Sequence, residues 1–245
     1  MAGRQKIRKF SEIAIFLLFP IIIFYFSPYI IIMGAMRGVA AGCLIMFTIQ
    51  FVVSLFFGRA QCGYACPVGG LQECLLLAND KKTKGGKQNL IKYFIWAPWA
   101  AAIIALFVGA GGVKEVNFFF FVSNGVSLSE PYSYVIYYGI LLLVVILALT
   151  VGKRAFCHCV CWMAPFMVIG TKASALLKLP RLQLKANKNS CTNCKLCSQK
   201  CPMSLDVPAM VESGSMKNPE CILCGECIDS CPKKSIAYTF KNPRT

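Results

Sequence analysis

Residues 191–232 carry one cysteine spacing twice, and no other feature limits the fold so tightly. The runs are Cys191-x-x-Cys194-x-x-Cys197-x-x-x-Cys201-Pro202 and Cys221-x-x-Cys224-x-x-Cys227-x-x-x-Cys231-Pro232. Three thiols so close along the chain cap one face of a compact inorganic centre, and a fourth must arrive from farther away. This is the spacing of bacterial [4Fe-4S] ferredoxin runs, in which the fourth cysteine of each run serves the other cluster. One cluster is therefore expected on Cys191, Cys194, Cys197 and Cys231, and a second on Cys221, Cys224, Cys227 and Cys201. Paired C-x-x-C motifs also suit zinc, but two complete runs, each closed by Cys-Pro, favour the clusters. Fifteen cysteines in all, an odd number, fit metal ligation in a reducing compartment better than a disulfide framework.

The rest of the chain is lipid-like. A helix crossing a bilayer needs roughly 20 apolar residues, and four segments qualify: 10–33, 39–57, 91–111 and 132–151. The first contains Pro20 and Pro28 and has no small-residue cleavage site, so it reads as a retained anchor. Arg4, Lys6, Arg8 and Lys9 precede the first span, and Arg59, Lys81, Lys82, Lys84, Lys87 and Lys92 lie between the second and third. The opposite loops carry only Arg37 in one and Lys114, Glu115 and Glu130 in the other. Basic loops stay in the cytoplasm, so a multi-pass protein of a prokaryotic inner membrane is expected, with both termini cytoplasmic. The net charge of +16 is accounted for by this asymmetry, and no nucleic-acid partner is expected.

The implied organisation is a basic cytoplasmic tail over 1–9 and a four-helix transmembrane domain over 10–152, with a cysteine loop at 58–76. A second cysteine loop and an interfacial helix follow over 153–180, then a small α+β two-cluster bacterial ferredoxin domain over 181–245. Within the all-α membrane part, Arg59-Ala-Gln-Cys62-x-x-x-Cys66 follows the second span and Arg154-Ala-Phe-Cys157-x-x-x-Cys161 follows the fourth. The shared pattern implies a two-fold parallel repeat. A three-residue gap places two thiols one helical turn apart, so Cys62, Cys66, Cys157 and Cys161 could supply four thiolates to an additional Fe-S centre. Cys74 and Cys159 are further candidates. Buried reduced thiols or a metal-free redox pair would leave the same pattern, and Cys43, inside a span, reads as a packing residue.

His158 is the only histidine, which excludes a bis-histidine haem. No dinucleotide fingerprint, phosphate loop or intramembrane carboxylate relay is present. Aromatic residues of the spans, among them Trp96, Trp99, Tyr137, Tyr138 and Trp162, suit packing and the interfacial belt, with a quinone pocket as a further option.

With Phe-Gly-Arg-Ala-Gln-Cys-Gly-Tyr-Ala-Cys-Pro-Val-Gly-Gly over 57–70 and a second C-x-x-x-C after the fourth span, the chain resembles the polyferredoxin-like 4Fe-4S membrane proteins of the NapH and NosR type. The resemblance runs from the first span to Pro232. It implies a membrane part with two cytoplasmic C-x-x-x-C motifs ahead of a two-cluster ferredoxin domain, and a role in passing electrons across or along the membrane. The second motif departs from the pattern: its proline is displaced to Pro165 and Cys159 is inserted. No haem site and no extracytoplasmic flavin domain accompany it.

The expected function is membrane-bound electron transfer, by a subunit of an oxidoreductase complex, between a cytoplasmic redox partner and a membrane partner or quinone. Lys188, Lys195, Lys200, Lys217, Lys233 and Lys234 around the cluster loops suit an acidic soluble partner, and a membrane or extracytoplasmic redox subunit would complete the path. A cluster-bearing sensor or assembly factor, or a small ferredoxin-coupled permease, are the alternatives. Spans nearly free of ionisable residues argue against a permease for charged solutes.

Overall fold

A computed structural model describes residues 3–86, 88–122, 125–128 and 131–242; Lys87 and Glu130 lie outside the described residues. The basic tail expected over 1–9 is helical from Gly3. In helix α1 (Gly3–Leu17), Gln5, Arg8 and Glu12 recur at three- and four-residue steps and so share one face, and that polar face is the buried one. Ile7, Phe10 and Leu17 point outward at 70%, 75% and 71% exposure. The helix is thus polar inside and apolar outside, an arrangement suited to an apolar surround.

The first expected span, 10–33, is not one helix. After α1 come α2 (Phe19–Ile22), a 3-10 turn (Ile23–Phe26) and α3 (Pro28–Arg37), and the segments on either side of Leu18 are bent by 58°. Pro20 has no N–H to give and its ring crowds the carbonyl four residues back, which breaks the helix there. Ser27 then caps α3 by accepting from the Ile30 N–H at 3.4 Å, with Pro28 at its first position. Indoles brace the two sides of this junction: Trp162 donates to Phe26 O at 2.9 Å and Trp99 to Pro28 O at 3.1 Å. Two of the aromatic residues considered for the belt therefore hold the broken helix together.

The second expected span also differs. Strand β1 (Val39–Ala41) precedes helix α4 (Gly42–Phe57), which has 16 residues, roughly 24 Å at 1.5 Å per residue. Two short helices follow, α5 (Ala60–Tyr64) and α6 (Pro67–Leu75). Next are α7 (Gln88–Gly109), strand β2 (Glu115–Asn117) and α8 (Pro131–Thr150). Among the described residues α7 and α8 are long and apolar enough to cross a membrane, and the bent pair at the N-terminus makes up to three. Strands β1 and β2 pair in parallel, Val39 with Glu115 and Ala41 with Asn117, joining the segment before α4 to the segment after α7.

After α8 come α9 (Ala155–Cys159) and α10 (Met163–Leu176). The helix expected at the interface over 166–179 rests along α4, where Gly170 meets Ser54 with no room for a Cβ. The C-terminal domain comprises β3 (Arg181–Ala186), α11 (Leu196–Gln199), α12 (Val207–Glu212), α13 (Glu226–Asp229) and β4 (Ile236–Lys241). β3 and β4 are antiparallel from Arg181 opposite Lys241 to Ala186 opposite Ile236. One apolar core, including Phe19, Ile31, Phe47 and Val144, fills the helical part; a second, including Leu184, Met203, Ile222 and Ile236, extends to Cys62, Cys157 and Met167.

Of the cations read as orienting the spans, Arg8, Arg59 and Lys92 are buried, and so are Lys153 and Arg154 after α8. Their place in the fold is structural. Helices α1 and α6 approach so closely that a Cβ on Gly70 would run into the Glu12 carbonyl, whereas Gly139 in α8 has open space around it. Gly70→Val is expected to destabilise the purified protein by about 1–3 kcal/mol, read as a lower thermal midpoint or lost yield, while Gly139→Val leaves the midpoint unchanged.

Candidate metal centres

Each ferredoxin run folds the same way. The residues two and four places after the first cysteine, Asn193 and Lys195 in one run and Leu223 and Gly225 in the other, all have positive φ, at 52°, 61°, 51° and 77°. Ser204 and Lys234, each three places after a fourth cysteine, repeat the pattern at 53° and 50°. Alternation of right- and left-handed residues turns successive N–H groups to one side, a nest suited to anions and iron–sulfur centres. The Ser235 N–H donates to Cys231 Sγ at 3.4 Å. Although burial pushes the Cys231 thiol up, this and neighbouring backbone N–H groups hold it below its usual value.

The thiols gather in crossed fours. Cys191, Cys194, Cys197 and Cys231 line one small cavity, and Cys201, Cys221, Cys224 and Cys227 line another. Burial pushes the Cys221 thiol up to about 11, with Cys201 adding to the rise; Cys224 and Cys227 are raised by burial and by Cys201 in the same way. Cys201 thus stands with the second run although it belongs to the first. The sets differ in access: Cys194 is exposed, whereas Cys201, Cys224 and Cys227 are buried.

A third set lies deeper. Cys62, Cys66, Cys157 and Cys161 are all buried, and Cys66 is raised by burial and then by the thiols of Cys62, Cys157 and Cys161. Cys161 is pushed up to about 12 by burial, Cys157 and Cys62. Backbone N–H groups of Gly69 and Ala164, three residues on, reach Cys66 and Cys161, because α6 and α10 begin just after these cysteines and present their positive ends to them. Gln72 donates to Cys157 Sγ at 3.3 Å, and Cys62 Sγ lies 3.3 Å from Met167 Sδ. Cys74, exposed, and Cys159, buried beside Lys92, stand outside this four. His158 is buried and bonded through Nδ1 to Asn89 Oδ1 at 2.5 Å. Among the described residues no three His, Cys, Asp or Glu side chains converge as one metal ion requires, so each four of thiols is a wider set than a zinc site with its sulfurs about 2.3 Å from the metal.

Buried charge surrounds the third set, and sequence reasoning did not foresee it. Arg154 donates to Cys62 O at 2.8 Å, to Glu12 at 2.6 Å and to Glu73 at 3.1 Å. Arg8 holds the same two carboxylates at 2.8 and 2.7 Å and reaches Glu226 at 3.0 Å. Burial pushes the Glu73 carboxyl up, but Arg154 and Arg8 hold it down at about 2. Arg59 and Lys92 each meet Glu220 Oε2 at 2.6 Å. The available signal was that an arginine opens both C-x-x-x-C motifs.

The crossed arrangement predicts paired phenotypes. Cys231→Ser should lose the same EPR signal as Cys191→Ser, and Cys201→Ser the same one as Cys221→Ser. Pairing of Cys201 with Cys191 instead would contradict the geometry.

The family described as 4Fe-4S binding domain matches this chain twice, over residues 39–84 and 135–180, and the family described as 4Fe-4S dicluster domain matches 190–236. An uncharacterized protein of Methanocaldococcus jannaschii is 28% identical, covering 96% of this chain and 96% of its own length. The methylamine utilization ferredoxin-type protein MauN of Paracoccus denitrificans is 29% identical over 82% of this chain and 68% of its own length. YccM of Escherichia coli K12, named provisionally as an electron transport protein, is 24% identical over 88% of this chain and 60% of its own length. No solved structure matches this chain. With two 4Fe-4S binding matches ahead of a dicluster match, the chain is an iron–sulfur protein similar to polyferredoxin-like electron-transfer proteins.

Proposed function

We propose that this chain is a multi-pass membrane protein that conducts electrons between a soluble partner and the membrane through three iron–sulfur sites in line. Cys191, Cys194, Cys197 and Cys231 would hold the outer [4Fe-4S] cluster, and Cys221, Cys224, Cys227 and Cys201 the middle one. Cys62, Cys66, Cys157 and Cys161, two from each half of a parallel repeat, would hold the inner centre. The observation that carries this reading is at the inner set. Arg59 and Arg154 are each 1% exposed beside these thiols, yet Arg59 Nε and Nη2 and Arg154 Nε have no acceptor. Buried donors without acceptors are rare and costly. A centre carried by four thiolates has the negative charge and the sulfur acceptors that such guanidinium groups need.

When bound, the clusters supply one-electron transfer, at potentials set by nearby charge, hydrogen bonds to sulfur and burial. The protein grades that burial, from exposed Cys194 through buried Cys224 and Cys227 to four buried thiols. Between the middle and inner sets it leaves no gap: a Cβ on Gly63 would stand 2.7 Å from Ile222 O and 3.5 Å from Cys224 Cβ. Cys62 and Cys157 share an apolar core with Cys201, Cys224 and Cys227.

The membrane reading takes the bent N-terminal pair, α4, α7 and α8 as four crossings, with the thiols and both termini on the cytoplasmic side of the inner membrane. Exposed Lys188, Lys195, Lys233 and Lys234 ring the outer set and would steer an acidic soluble partner to it. A redox subunit or a quinone would take or give electrons at the membrane end.

Iron and sulfide analysis tests the inner centre: about twelve irons per chain are expected for three filled sites. Cys62→Ser or Cys157→Ser should remove about four of them while leaving the ferredoxin EPR signals in place. A wild-type content of about eight, unchanged in both variants, would remove the third site. Gly63→Val tests the order of the sites: iron content should hold, while electrons supplied at the ferredoxin domain should reach a membrane acceptor at least tenfold more slowly, by about 1.4 kcal/mol or more of added barrier. An unchanged rate would break the line drawn between the middle and inner sets.

A further inference from the structure

Where α4 ends, a cavity of about 200 Å³ opens between Arg59, the outer face of α10, strand β3 and the loop before Cys221. Four cations, Arg59, Lys172, Arg181 and Lys217, line it, and no carboxylate does. Its remaining walls include Leu184, Met216 and Leu223. Arg181 is 8% exposed. It donates from Nη1 to Thr171 O at 2.5 Å, while its Nε is buried with no partner. Burial lowers its basicity, and no acid opposes the effect. A buried guanidinium left half-satisfied in an acid-free cavity calls for an anion with more than one acceptor oxygen, the geometry in which arginine binds phosphate best.

The surround indicates where that anion comes from. Phe56 and Phe57 at the end of α4 are 38% and 48% exposed, and Leu176 and Leu177 at the end of α10 are 75% and 64% exposed. These side chains offer an apolar rim to acyl chains beside a cationic pocket that suits a headgroup. We propose that the cavity binds the phosphate of an anionic phospholipid, which seats the ferredoxin domain on the membrane surface. This proposal rests on the membrane placement given above; Arg59 and Cys221, which the proposed iron–sulfur sites also use, form part of the cavity wall.

The test uses the full-length chain, purified in detergent and titrated with phosphatidylglycerol, phosphatidylcholine or inorganic phosphate, with native mass spectrometry and thermal unfolding as readouts. One retained phosphatidylglycerol per chain and a saturable rise in the unfolding midpoint are expected, with phosphatidylcholine bound at least tenfold more weakly. Arg181→Gln should weaken phosphatidylglycerol binding at least tenfold, and Lys172→Gln, an exposed position that the fold tolerates, should weaken it severalfold. Lys188→Gln, away from the cavity, should leave it unchanged. Equal retention of the two lipids, or phosphatidylglycerol binding untouched by both cavity variants, would overturn the proposal. So would a response to inorganic phosphate alone, or a co-purifying quinone lost on Arg181→Gln. A wrong membrane placement would appear as the inorganic-phosphate result.

Discussion

One guanidinium, that of Arg154, binds the Cys62 carbonyl, Glu12 and Glu73 at once. It thereby fixes the second cysteine motif against the first motif, against helix α1 and against α6. Arg8 repeats the operation from the other side and adds Glu226 of the ferredoxin domain. Such a lattice is weak evidence for stability, since taking charges out of water offsets most of their attraction, but removing one member strands the rest at about 3–5 kcal/mol. What it provides is registration: segments from five parts of the chain can meet in one arrangement only. The inside-out helix α1 follows from this. Its polar face is needed inward, so its apolar face turns outward.

The lattice also explains the sign of the charge near the inner thiols. Arg8, Arg59, Lys92 and Arg154 are buried against Glu12, Glu73 and Glu220, with half-buried Glu226 as a further partner of Arg8, so these ion pairs balance. The unpartnered N–H groups of Arg59 and Arg154 and the positive ends of α6 and α10 then bias the surroundings of the thiols toward positive. A site made for neutral thiols needs none of this. Thiolates that carry metal do, because metal binding displaces their protons and leaves anionic sulfur in a dry place.

Sequence spacing exposed the ferredoxin loops because short covalent distances between cysteines leave few conformations, and the crossed fourth cysteine follows from the same constraint. The inner cysteines were legible as a repeated pattern, though their meeting depended on how α5 and α9 approach, which no local spacing encodes. The lattice was hidden for a different reason. Arginine and lysine next to apolar segments read as topology signals, and nothing local separates a solvated Lys81 from a buried Lys92. Proline marked the interruptions of the first span at Pro20 and Pro28, but the bracing by Trp99 and Trp162 came from segments over seventy residues away.

Glu220 bears most directly on electron transfer. It immediately precedes Cys221, and its carboxylate is shared by Arg59, three residues before Cys62, and by Lys92 of α7. A ferredoxin domain on a flexible tether would sample a range of distances from the membrane part, and transfer through it would depend on rare close approaches. Here the loop that carries the middle thiols is pinned on the arginine that opens the first motif, while Gly63 lets the backbones touch. Gln5 adds a second pin, donating to the Cys224 carbonyl at 3.0 Å, and Arg4 a third, through paired bonds to Asp229. With three fixings around one loop, the separation between the middle and inner thiols is set by the fold and not by diffusion of a domain; under the function proposed above, the mobile step is then the arrival of the soluble partner.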